Sequence, residues 1–202
     1  MKKLVALTLL LPGLTACIAL ITPSVEQDIK RLKPGSYSLD KSHAALLFKV
    51  QHLGLSSYVG RFNSLDAALE FDPADPASAK LTALIEMGSI EINDESLAST
   101  IKGRSWFNVE QYPQAEFTTL SVKATGENTF AFKGQLTWRG VSKPLTLSAT
   151  FHGGANNILT GKYTLGFSAS GQFLRSDYGL DAFIPLVGDE INLEGYAEFL
   201  RN

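Results

Sequence analysis

Residues 130–151, FAFKGQLTWRGVSKPLTLSATF, decide the fold. Phe130, Phe132, Gly134, Leu136 and Trp138 alternate with Ala131, Lys133, Gln135 and Thr137. After WRGVSKP, Leu145, Leu147, Ala149 and Phe151 alternate with Thr146, Ser148 and Thr150. A period of two sends successive side chains to opposite faces of a strand, so each half has one mainly apolar face. The glycine and proline between them mark a turn, and the pair reads as an antiparallel hairpin with one side buried.

The same period runs through most of the chain. Leu46, Phe48, Val50 and His52 share a face opposite Leu47, Lys49 and Gln51, and Ala67, Leu69 and Phe71 precede the turn DPADP. Leu81, Ala83, Ile85 and Met87 follow, then Phe117 with Thr119, then Tyr163, Leu165 and Phe167, and last Ile191, Leu193 and Gly195. ATGEN, HGGANN and LVGDE read as further turns. One segment departs from this period: NDESLASTIKGRSWFN offers Asn93 or Asp94 as an N-cap, Leu97 and Ile101 at i, i+4, and Gly103 as a stop, which predicts a short helix. The expectation is an all-β fold, a closed antiparallel barrel of about eight strands with a short helical insertion. Closure removes the edges that long strands would expose. A β-sandwich is the alternative.

The chain has 202 residues, 45% of them hydrophobic, which suits one globular domain with a substantial core. Its 18 basic and 20 acidic side chains give a net charge of −2 with no block of like charge, which argues against a nucleic-acid partner. HAALLFKVQH, residues 43–52, sets two of the three histidines at an odd spacing, so in a regular strand they face opposite sides and do not share a metal. His52 falls on the apolar face and reads as a hydrogen-bonded core histidine or a ligand contact. His152 reads as a solvated turn residue. No HExxH, cysteine pair or DxDxDG loop supports a metal site. GFSAS, residues 166–170, approaches a nucleophile elbow but ends in Ser170 and lies in a strand-like alternation with no helix following. Asp177, Asp181, Asp189 and Glu190 flank turn glycines and read as water-facing. No catalytic residue emerges.

The N-terminus reads as a targeting segment. Lys2 and Lys3 precede the apolar run LVALTLLLPGL, and LTAC, residues 14–17, resembles the bacterial lipobox, with Cys17 the only cysteine in the chain. That resemblance implies a signal peptide over residues 1–16 and lipid attachment at Cys17, with acyl chains such as palmitate anchoring the chain to a membrane. Ile18 after the cysteine favours the outer membrane, facing the periplasm. Residues 17–34 form the lipidated tether, and residues 35–202 the barrel domain. With no second cysteine, the domain relies on its core for stability.

YSLDKSHAALLFKVQHLGLSSYVGRF, SIEIND, WFNVEQYPQAEF, GQLTWRGVSKPLTL and RSDYGL, in this order, closely resemble the successive signatures of the YceI-like family, over residues 37–199. The resemblance implies an exported, lipocalin-like barrel without known enzymatic activity, whose members include polyisoprenoid-binding proteins. Here it would be a lipoprotein that holds a polyisoprenoid, an isoprenoid quinone or a similar lipid. The motif positions carried over are His43, Phe48, His52, Gly60, Phe62, Phe107, Pro113, Arg139, Gly140, Arg175, Asp177 and Gly179. The chain departs from the family's commoner residues at NDES, residues 93–96, and at WFN, residues 106–108, both in the helical insertion.

The inward faces supply the candidates for apolar ligand binding: Phe48, Val50, His52, Phe62, Phe71, Ile85, Phe117, Phe132, Leu136, Leu147, Leu165 and Phe167. Small residues among the large ones, Ala67, Ala83, Gly134 and Gly195, leave room for a cavity. Arg139 and Arg175 are candidates for a polar or phosphate head group, against a surface role such as pairing of Arg175 with Asp177. Burying one isoprene unit should yield roughly 3 to 4 kcal/mol, against an association cost of about 4 to 15 kcal/mol, so useful affinity needs about four units or more. No cofactor or metal is expected, and no protein partner is identified. The alternatives are a structural or interaction lipoprotein with a filled barrel, and an enzyme acting on a lipid.

Overall fold

The computed structural model describes residues 23–158 and 160–202. The signal peptide over residues 1–16, Cys17 and the first part of the tether lie outside the described residues.

Ten antiparallel strands form one sheet: β1 Gly35–His52, β2 Ser56–Phe62, β3 Leu65–Phe71, β4 Lys80–Glu86, β5 Ile90–Glu91, β6 Gln114–Ala124, β7 Thr129–Trp138, β8 Val141–Asn156, β9 Tyr163–Leu174 and β10 Val187–Arg201. Pairing of β10 with β1 closes a ring in the order β1, β3, β4, β6, β7, β8, β9, β10, so the molecule is an eight-stranded barrel and not a sandwich. The β7–β8 hairpin follows the period of its sequence. Phe130, Phe132, Gly134, Leu136 and Trp138 are all buried. Its turn consists of Arg139 at φ 49° and Gly140 at φ 74°, the two positive angles that match a two-residue turn to the twist of its strands.

β1 serves two neighbours along its second edge. Residues 35–38 pair with β3, and residues 46–52 pair with β2, whose far edge takes β5. In between, Leu39 pairs with Phe199 but Ala44 with Ala197, so extra residues of β1 bulge outward where it passes from β3 to β2. The bulge is braced from within. Asp40 accepts from the Ser42 N–H at 3.0 Å and lies 3.0 Å from His43 Nδ1. That bond to His43 holds the Asp40 carboxyl below the usual carboxylate range and raises the imidazole above the usual histidine range. His43 therefore belongs to the outer wall, with Glu198 opposite. Asp40, His43 and Glu198 offer ligand atoms within 4.8 Å of one another, and two of Asp40's bonds already stay within the bulge.

The helix forms as expected. Helix α1, Glu95–Lys102, is capped by Asp94, whose side chain accepts from the Leu97 N–H at 2.9 Å, and ends at Gly103.

Three segments differ from the sequence reading. LVGDE is not a turn, because the turn ends at Leu186 and Val187–Glu190 already lie within β10. HGGAN is not a turn: β8 continues to Asn156, and His152 lies on it, 2.8 Å from Ser168 Oγ. The glycines make room for the chain's own N-terminal segment. Glu26 and Gly154 exchange two backbone hydrogen bonds of 2.8 Å, and a Cβ on Gly154 would meet Leu32 Cδ2 at 2.8 Å. Residues 26–32, expected to belong to a free tether, thus form a strap, and Leu32 is buried. Every ring pairing and the buried core of the described residues fall within residues 32–201, so the chain from Ile18 contains the complete barrel.

Candidate ligand-binding lumen

Two apolar chambers lie along the barrel. The larger, about 360 Å³, occupies the pole where β1 ends and β10 begins. The smaller, about 160 Å³, lies deeper, toward Leu39 and Phe199. Leu46, Ile85, Leu136 and Leu193 border both chambers and form a waist between them. Leu46 and Leu193 come from the paired strands β1 and β10 that close the ring.

Alternation locates most of the predicted lumen residues. Phe48, Val50, His52 and Phe62 line the larger chamber, Phe117, Phe132, Leu147 and Phe167 the smaller, and Ile85 and Leu136 the waist. His52 is not a core histidine: it sits exposed at the strand's end, on the rim of the larger chamber. Phe71 and Leu165 border neither chamber. Phe71 pairs with Gly35 at the far end of β1, and Leu165 is fully buried near Gly154, beside Leu32, where the strap plugs that pole. Strand period fixes the face of a residue but not the height at which the lumen stops. Among the small residues, Ala67, Ala83 and Gly195 border the smaller chamber. Gly134 does not, because the Phe117 ring lies 2.6 Å from where its Cβ would be.

The roof of the larger chamber comes from segments where no strand period operates. Leu97 and Ile101 of α1, with Trp106 and Phe107 after it, cover one side, and Leu180 and Phe183 between β9 and β10 cover the other. Phe107 stands edge-on to Trp138 at 4.9 Å, and Trp138 packs on Tyr178 at 5.6 Å. The Tyr178 hydroxyl donates to the Leu136 carbonyl at 3.1 Å, and burial pushes its pKa up to about 12. The i, i+4 spacing of Leu97 and Ile101 in the sequence announces an inward helix face, but nothing in it says over which pole the helix folds.

The arginines are corrected in role. Arg175 is buried in the chamber wall and does not pair with Asp177, which instead faces Lys143 Nζ at 3.3 Å. Its guanidinium donates to four backbone carbonyls: Nε to Gly188 at 2.8 Å, Nη1 to Leu180 at 2.5 Å, and Nη2 to Ala182 and Val187 at 2.9 Å each. It therefore fixes the segment between β9 and β10. Burial lowers its pKa, while the charges of Asp189 and Asp181 act the other way. Asp189 is not simply water-facing: it accepts from the Ser176 N–H and hydroxyl at 2.9 and 2.7 Å. Arg139 borders neither chamber. Its Nη1 donates to the Tyr178 and Gly179 carbonyls at 2.6 and 3.0 Å, bracing the same segment from the β7–β8 turn.

A closed antiparallel barrel with two apolar chambers, packed by a strap at one pole and roofed at the other, defines a lipocalin-like fold. Residues 37–199 match the YceI-like domain, and the chain belongs to the YceI-like family. It is 33% identical over 159 residues to a UPF0312 protein of Yersinia pestis, covering 78% of this chain and 82% of that one. Among solved structures, it is similar to Burkholderia cenocepacia BcnA, with a TM-score of 0.72 at 21% identity over 79% of this chain and 98% of that one. It is also similar to a polyisoprenoid binding domain from Saccharophagus degradans, with a TM-score of 0.65 at 16% identity over 82% and 98%.

Proposed function

We propose that this protein is a carrier that holds a long apolar chain, such as a polyisoprenoid, an isoprenoid quinone or a similar lipid, in its two-chambered lumen. The observation that carries this reading is the pair of apolar chambers joined at the Leu46, Ile85, Leu136 and Leu193 waist. The larger chamber alone falls within the 300 to 1,000 Å³ typical of small-molecule sites. These volumes favour the carrier over the alternative, a structural lipoprotein with a filled barrel. The binding described for the Saccharophagus domain supports the same ligand class. In this reading, the tail occupies the lumen and the head group remains at the mouth, beside the rim residue His52.

The N-terminal pattern supports a lipid-anchored protein, acylated at Cys17, in the outer membrane facing the periplasm. The strap at residues 26–32 joins the barrel at the pole opposite the mouth, so the anchor would hold the packed pole and leave the mouth free. With protein and ligand both confined to the envelope, modest affinity would suffice.

Both tryptophans, Trp106 and Trp138, line the larger chamber, which supplies a direct readout. Titrating the chain from Ile18 with an isoprenoid quinone should quench their fluorescence to a plateau at one quinone per chain. Quenching that rises linearly without saturating would contradict the reading.

A further inference from the structure

The mouth carries an apolar rim that the lumen does not require. Leu53, Leu55, Phe183, Ile184 and Leu186 are 50%, 84%, 62%, 38% and 57% exposed. They come from two segments held together. The Leu53 N–H of the β1–β2 tip donates to the Leu186 carbonyl at 2.7 Å, and Phe183 stacks on Trp106 at 6.1 Å. Two of the five hold left-handed backbone conformations, Leu53 at φ 54° and Phe183 at φ 64°. Glycine or asparagine occupies that region cheaply, and a large apolar side chain does not. The chain thus accepts a conformational cost at two points where an apolar side chain faces solvent, and such outliers gather at functional sites.

Adjacent exposed apolar residues around a cavity mouth mark an interaction surface, and continuity with the lumen indicates its occupant. Phe183 belongs to both the rim and the chamber wall, and Trp106, on which it stacks, lines the same chamber, so the rim is continuous with the lumen. Leu55 projects freely and does not border the cavity, which suits a fluid interface more than a shaped pocket on a protein. Exposed Arg104 precedes Trp106 by two residues, and basic and aromatic side chains together favour the headgroup zone of a bilayer.

We propose that Leu53, Leu55, Phe183, Ile184 and Leu186 insert into the surface of a lipid bilayer and seat the mouth against it, so that a chain enters or leaves the lumen without crossing water. The inference rests on the carrier reading. Since the strap joins the opposite pole, the docked bilayer would lie on the far side of the barrel from the chain's N-terminal attachment.

The test is flotation of the chain from Ile18 with phosphatidylethanolamine–phosphatidylglycerol vesicles, comparing the parent with a Leu55→Ser, Leu186→Ser double variant. Neither residue borders a chamber. The variant should partition at least about tenfold more weakly, since two exposed leucines lose their apolar contact with lipid. Its quenching by quinone in vesicle-free solution should be unchanged. A parent chain that does not float, or a variant that floats equally well, overturns the proposal. So does a concentration-dependent dimer in the parent that the two substitutions abolish, which would make the rim's occupant a second copy. Flotation with no saturable quenching would leave the rim standing and remove the carrier reading.

Discussion

Replacing Arg175 with methionine is expected to destabilise the barrel by about 3 to 5 kcal/mol, the loss typical of removing one side of a buried charged interaction. The guanidinium binds the carbonyls of Leu180, Ala182, Val187 and Gly188, and a thioether offers none of those donors. Methionine fills similar space, so the loss would come from hydrogen bonding more than from packing. Denaturant unfolding followed by tryptophan fluorescence measures it. Arg175→Lys should recover part of the loss, since an ammonium keeps the charge but cannot reach carbonyls in the fork geometry of guanidinium. A methionine variant within about 1 kcal/mol of the parent would show that the segment between β9 and β10 is held by other contacts.

The second large effect concerns the lumen. A Cβ built on Gly195 meets nothing closer than 4.0 Å, and the residue borders the smaller chamber. Gly195→Leu should therefore fill that chamber with little strain, and replacing a strand-interior glycine should leave stability equal or slightly raised. It should also exclude the end of a long tail. Losing burial of one five-carbon unit, worth roughly 3 to 4 kcal/mol, lowers affinity by about a hundredfold or more. A quinone with a tail short enough for the larger chamber should bind the variant and the parent alike. Equal loss for short and long tails would contradict the two-chamber arrangement, as would no loss for either.

These two positions also mark how far the sequence reaches. Gly195 lies on a period-two face, where alternation alone puts Phe48, Phe117, Phe132 and Leu147 against a chamber. The Asp94 cap and the Gly103 stop likewise define α1 directly. Arg175 shows the opposite case: its partners are backbone carbonyls, which leave no trace in residue identity, so an Arg175–Asp177 pair reads equally well. The bulge at residues 40–43 escapes because its charged and polar residues look like the outer face of a regular strand. Gly153 and Gly154 suggest a turn until the strap that needs their missing side chains is in place. The depth at which Leu165 and Phe71 drop out of the lumen depends on that same strap, a contact between segments far apart in the chain.

Native mass spectrometry with lipid extraction measures most directly whether the lumen holds an apolar chain. The chain from Ile18 would be exported through a cleavable signal in a bacterial host rich in isoprenoid lipids. One isoprenoid or comparable long-chain lipid per protein is expected, displaced by added quinone. A chain that emerges empty and also fails to take up polyprenyl lipid or quinone would contradict the carrier reading.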